Sequence, residues 1–289
     1  YFKKGGVGPF QLTITQLQHH VHILGASGFG KSVLLMILIR FRIKKGHGLF
    51  YIDLKADFET LQSIVSCCKE ANRLDDLMIL SSGHPALSVP YNVVARGNAN
   101  EIGDRIISSL NWTESFYRDQ CDSVLQKVLL GLVAARNLSK LSFHLGDVLR
   151  ALKDPDYIAH INKLIPDEPR FDPIHQALAE VDAYIRNTDQ VKNLQGLKTQ
   201  LEKILLSEFG HLLSHTATDG IDIFRAARSQ KIVVVFLDSR RYSVAAPALG
   251  KIIIEDLKAA SSQLEDEVAK SDLKPFGVVI DEFADLAQP

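Results

Sequence analysis

One loop in this sequence has the residue types and spacing for polyphosphate chemistry. Gly25-Ala26-Ser27-Gly28-Phe29-Gly30-Lys31-Ser32 matches G-x-x-x-x-G-K-[ST]. Glycine lets a backbone turn where a side chain would block it. The N–H groups of such a loop and of a following helix N-terminus then converge on one anion. In that arrangement Lys31 reaches the β- and γ-phosphates of ATP, and the Ser32 hydroxyl ligates Mg²⁺. All residues from Gly25 to Ser32 are therefore candidate nucleotide ligands. Lys31, which faces the transferring phosphoryl group, is also a catalytic candidate.

Such a loop needs a metal partner and a base. Val278-Val279-Ile280-Asp281 is an apolar run ending in a carboxylate. It reads as a strand that delivers Asp281 to the carboxyl edge of a sheet, where ligands bind in open α/β architectures. Asp281 is the expected Mg²⁺ partner of Ser32. Glu282 points to the opposite side and is placed to orient or deprotonate an attacking water. Asp53, Lys55 and Asp57 form a second charged cluster at a strand end. In some P-loop ATPases the catalytic acid comes from this neighbouring strand, which leaves Asp53 and Asp57 as alternatives to Glu282.

These groups need a scaffold, and the chain has one to offer. Val21 to Leu24 reads as the strand entering the loop, and Ser32 to Lys45 as the helix leaving it. Gly48 to Asp53 is the next strand, Asp57 caps a helix from about Phe58 to Ala71, and Leu77 to Leu80 is a further strand. This β-α-β-α-β order implies a parallel sheet with right-handed crossovers. Lys231 to Asp238 and Pro275 to Phe283 bring strands back, separated by a long helix from about Val244 to Glu265. Continuous β-branched runs indicate strands covered on both faces. A further short strand is expected at Phe10 to Ile14.

Between the two sheet portions, residues 99–228 hold no convincing strand. Amphipathic patterns at Glu101–Leu110, Thr113–Arg136, Leu145–Leu152, Ile174–Asn187 and Asp189–Ser207 predict helices, broken by Asn111-Trp112 and by the Pro-bearing stretch from Asp154 to Pro173. Trp112, Phe116 and Tyr117 are expected core anchors of this block. Its attachments to the sheet are expected at its two ends. The expected division is 1–98, the first part of a nucleotide-binding domain; 99–228, an all-α insertion; and 229–289, the second part.

Composition excludes several classes. Net charge is −1 and the apolar fraction is 46%, so any nucleic-acid contact must be local. The basic turn Arg40, Arg42, Lys44, Lys45 reads as a solvated helix end that complements the helix dipole, with a nucleic-acid contact as the alternative. No apolar run reaches the ~18 residues a membrane span requires. Cys67, Cys68 and Cys121 show no metal spacing and suit a reducing compartment. The Cys67-Cys68 pair is expected to be half buried in its helix.

The phosphate loop, Tyr51-Ile52-Asp53-Leu54-Lys55-Ala56-Asp57, the Tyr91-Asn92 turn, the helical insertion and Asp281-Glu282-Phe283-Ala284 occur in the order seen in type IV secretion and conjugation coupling proteins. The chain resembles these TraD/TraG-type ATPases of the FtsK/HerA-like superfamily over nearly its whole length. The resemblance implies a RecA-like P-loop domain interrupted by an all-α domain. It also implies a hexameric ring that hydrolyses ATP to drive DNA or protein substrates into a secretion channel. Partners would be adaptor and channel proteins, and the setting would be the cytoplasmic face of a bacterial inner membrane, reached through segments this chain does not contain. A double-stranded DNA pump of the FtsK/HerA type is the nearest alternative, and a nucleotide-binding scaffold with incidental hydrolysis the more distant one. Family members continue past the Asp-Glu pair into another strand and on to an inter-subunit arginine. The chain is therefore expected to be a piece of a longer protein that binds Mg-ATP weakly and turns it over slowly. Arg240 or Arg241 are the candidates should that arginine be supplied in cis.

Overall fold

The computed structural model describes residues 16, 20–25, 28–216, 219–269 and 272–286. The expected strand at Phe10 to Ile14 lies outside them. Among the described residues four strands, β1 (Leu49–Asp53), β2 (Leu77–Ser81), β3 (Ile232–Phe236) and β4 (Gly277–Asp281), form one sheet in the order β2-β3-β1-β4. Every pairing is parallel. The protein is thus a mixed α/β fold built on an all-parallel sheet.

β1 and β3 are buried along their whole length, and the period-2 alternation of a strand divides their side chains between two cores. Leu49, Tyr51, Ile232, Val234 and Phe236 face helices α1 (Lys31–Lys44) and α2 (Phe58–Glu70), packing with Ile39, Ile43, Leu61 and Ile64. Cys67 and Cys68 belong to the same core and are fully buried, not half buried. Phe50, Ile52, Val233 and Val235 face the other way, into a core shared with the helical residues.

Those helices are α3 (Ala99–Ser109), α4 (Ser115–Ser139), α5 (Leu145–Ala151), α6 (Pro155–Lys163), α7 (Asp172–Arg186), α8 (Gln195–Leu205) and α9 (Ile223–Arg228). After β3 comes α10 (Ala245–Glu267), and a short turn of helix, α11 (Phe283–Leu286), follows β4. No strand occurs among the described residues between β2 and β3. α6 was hidden in a stretch that reads as a break. Its start is nonetheless conventional, with Pro155 at the first helical position and the Asp154 carboxylate accepting from the Asp156 N–H at 3.0 Å.

The attachments of the helical segment are wider than its two ends. Entry and exit are indeed tied: Ile221 N donates to Pro90 O at 2.7 Å, and Tyr91 N to Leu212 O at 2.9 Å. A buried network also joins α3 to α10. Arg105 contacts Asp256 at 2.7 Å and donates to Val93 O at 2.7 Å, while the Tyr91 hydroxyl donates to Asp256 at 2.6 Å. The physical reason is the shared apolar core, which leaves no solvent layer between helices and sheet. Trp112 is half-buried and bonds Ile107 O at 2.8 Å, but Phe116 and Tyr117 are 59% and 44% exposed, their rings edge to face with each other. They sit on the outward side of the first turn of α4 and are not core anchors.

Val21 to Leu24 forms no strand, and Leu24 is 80% exposed. Among the described residues nothing pairs with the outer edge of β4. An isolated extended segment has no partner for its backbone groups and stays irregular. The outward side of α1 is apolar as well, with Val33, Ile37 and Phe41 exposed at four-residue spacing. No helix among the described residues is long and apolar enough to cross a membrane.

Candidate functional site

Backbone conformation dictates the loop. Gly28 and Gly30 have φ of 81° and 82°, a left-handed region that side chains disfavour. Gly30 is the N-cap of α1, and Leu34 N closes the first turn on Gly30 O at 3.0 Å. Among the described residues no side chain caps this helix and no acidic residue stands in its first turn. The positive end of its dipole is therefore suited to an anion. The Lys31 ammonium folds back and donates to Gly25 O at 2.7 Å. Ser32 is exposed at the helix start. Ala26 and Ser27 lie outside the described residues.

The direction of α1 follows from its far end. Arg42 donates to Pro275 O at 2.8 Å and to Gly48 O at 3.3 Å, and these residues lie just before β4 and β1. The helix therefore runs antiparallel to the strands. Its 14 residues span about 21 Å, against about 17 Å for a five-residue strand. Its N-terminus thus reaches the level of the sheet's carboxyl edge.

The acids stand at that edge. Asp53 and Asp281 are register partners at the ends of adjacent β1 and β4. Asp53 is buried and accepts from the N–H groups of Lys55 at 2.8 Å and Asp57 at 3.2 Å. Burial holds its carboxyl above the usual range, against the pull of those two N–H donors. Asp281 is half-buried and accepts from Glu282 N at 3.0 Å. Asp57 is occupied as the cap of α2, taking hydrogen bonds from Glu59 N at 3.3 Å and the Thr60 hydroxyl at 2.7 Å. Of the three sequence candidates for a base, Glu282 is the one whose carboxylate is not consumed in shaping a backbone turn.

Glu282 is paired with the Lys55 ammonium, a contact that sequence reasoning did not anticipate. Its backbone is left-handed, at φ 53°, as is that of Ala56 beside Lys55. Arg240 is exposed and donates to Lys55 O at 3.2 Å, while Arg241 pairs with Glu208 at 2.7 Å. Among the described residues no three His, Cys, Asp or Glu side chains converge on a metal site.

No family model matches the chain. A Mycoplasma pneumoniae protein described as uncharacterized is 38% identical over 50 residues, which is 17% of this chain. The match spans 42% of that protein's length.

Proposed function

We propose that this chain is an ATP-hydrolysing motor subunit of the type IV coupling-protein kind, with a RecA-like P-loop nucleotide site at the sheet's carboxyl edge. What supports the reading is that a glycine-preceded helix N-terminus and a strand ending in Asp281 are both directed towards the carboxyl edge of the sheet. Phosphate needs the first and its metal the second. In this reading the Lys31 ammonium exchanges Gly25 O for phosphate, and the α1 N–H groups orient the anion. Ser32 and Asp281 hold Mg²⁺, which supplies charge neutralisation when bound. Glu282 accepts a proton from the attacking water. The helical segment 99–228 is an insertion that docks adaptors or cargo, DNA or protein, and copies of the chain assemble into a ring at the cytoplasmic face of a membrane.

Fluorescent-nucleotide titration and phosphate release test the site. Wild-type protein should bind Mg-ATP, Lys31→Ala should lose most of that affinity, and Glu282→Gln should bind without turnover. Binding unaffected by Lys31→Ala would sink the assignment. Binding with no turnover, even with nucleic acid added, would favour a scaffold.

A further inference from the structure

We propose that Lys55 is a latch on Glu282: its ammonium engages the carboxylate and keeps it from activating water until the lysine is drawn away. The inference rests on Glu282 being the base. The ammonium sits on Oε1 of Glu282; it blocks that oxygen and fixes the direction in which the carboxylate points, so the second oxygen cannot turn towards a water placed elsewhere.

Three features of the site make this contact a latch. First, the pair bridges two neighbouring strand ends, because Lys55 follows Asp53 and Glu282 follows its register partner Asp281. Second, both backbones are clamped. Lys55 N donates to Asp53 at 2.8 Å and Lys55 O accepts from Arg240 at 3.2 Å, while Glu282 N donates to Asp281 at 3.0 Å. The left-handed backbones of Ala56 and Glu282 are conformations that non-glycine residues hold only when surrounding contacts fix them. The two side chains can therefore part without moving either backbone. Third, the side chains are unequally exposed, 54% for Lys55 and 29% for Glu282. The lysine can swing into solvent without opening the core, leaving Glu282 at the edge. The hydrogen bond to Glu282, the first among several carboxylate influences, holds the Lys55 ammonium above the ordinary lysine range, so it stays charged at neutral pH.

Half-exposed pairs are weak enough to switch. Lys55→Met should raise kcat at saturating Mg-ATP about three- to six-fold, or ~0.6–1 kcal/mol of barrier at about 1.4 kcal/mol per factor of ten. KM should stay within about two-fold, because in this proposal Lys55 touches Glu282 and not the nucleotide. Lys55→Arg, which keeps the charge, should remain near the wild-type rate. Raising sodium chloride should speed the wild type and narrow its gap to Lys55→Met, since salt screens an exposed pair. Rates are read against Glu282→Gln as zero, and circular dichroism should show the variants folded. A folded Lys55→Met that binds nucleotide but turns over no faster than wild type overturns the latch. Failure of the wild type to bind nucleotide overturns the ATPase reading, and the latch with it.

Discussion

Replacing Asp256 by Ala should destabilise the protein by about 4 kcal/mol. Asp256 is the hub of the network between α3 and α10, accepting from the Arg105 guanidinium at 2.7 Å and from the Tyr91 hydroxyl at 2.6 Å. Arg105 is only 3% exposed, and its Nε already lacks a partner. With the carboxylate gone, the guanidinium keeps Val93 O as its main acceptor and cannot reach water. Breaking a buried pair in this way costs about 3–5 kcal/mol. The stranded Tyr91 hydroxyl adds to that, though not independently, because both groups lose the same partner. Against a typical stability of about 5–15 kcal/mol, the loss should lower the melting temperature on the order of 10 °C. Urea unfolding followed by far-ultraviolet circular dichroism measures it. The control is Tyr91→Phe, Arg105→Met and Asp256→Leu combined, which removes every member of the network and should recover most of the loss. A loss under about 1 kcal/mol for Asp256→Ala would show that the guanidinium finds another acceptor, and that the α3–α10 junction is held by apolar packing alone.

The other expectations concern the site, the surface and pH. Glu282→Gln should lower kcat by about 10²–10⁴, the range for loss of a general base, with nucleotide affinity retained in titration. Phe116→Ser and Tyr117→Ser should each change unfolding free energy by less than about 0.5 kcal/mol, whereas core anchors would cost several-fold more. The excised segment 99–228 should be helical by circular dichroism but bind a hydrophobic dye, because α10 no longer covers it; a native-like excised segment without dye binding would refute the shared core. His47 is held below its ordinary pKa by burial first, then by Arg42, Arg73 and Lys45. Its neutral form is therefore favoured in the fold. The linked stability is fully present above the unfolded value near 6.5 and is lost as pH falls through the lower native value. Melting temperatures of His47→Gln should thus fall less than wild type on going from about pH 7 to pH 5.

Local chemistry was the legible part of this chain. Asp57 announces α2 because an N-cap carboxylate is used within three residues of its own position. Lys231 to Asp238 announces a two-sided strand because burial on both faces requires an unbroken apolar run. Where the reading failed, the deciding partner lay far along the chain. Val21 to Leu24 has a strand's composition, yet a strand exists only through a neighbour's hydrogen bonds, and composition does not reveal whether one is present. Phe116 and Tyr117 look like core residues, but which side of the first turn of α4 faces inward depends on how that helix is seated. The signal for α6 is Asp154-Pro155, since an acidic cap followed by proline starts a helix as readily as it breaks one.

The site divides along the same line. Gly28, Gly30, Lys31 and Ser32 are placed by one continuous stretch of backbone, so their arrangement is written in eleven consecutive letters from His22 to Ser32. The pairing of Lys55 with Glu282 is separated by 227 positions and exists because β1 and β4 are neighbours with Asp53 opposite Asp281. Strand order is set by which faces the helices cover, and therefore by the whole core. A charged residue just past a strand end acquires its role from the strand beside it. Lys55 was visible in the sequence as part of a cluster with Asp53 and Asp57. Those two carboxylates are consumed by backbone N–H groups and a helix cap, which leaves the Lys55 ammonium to be claimed by Glu282 across the strand boundary.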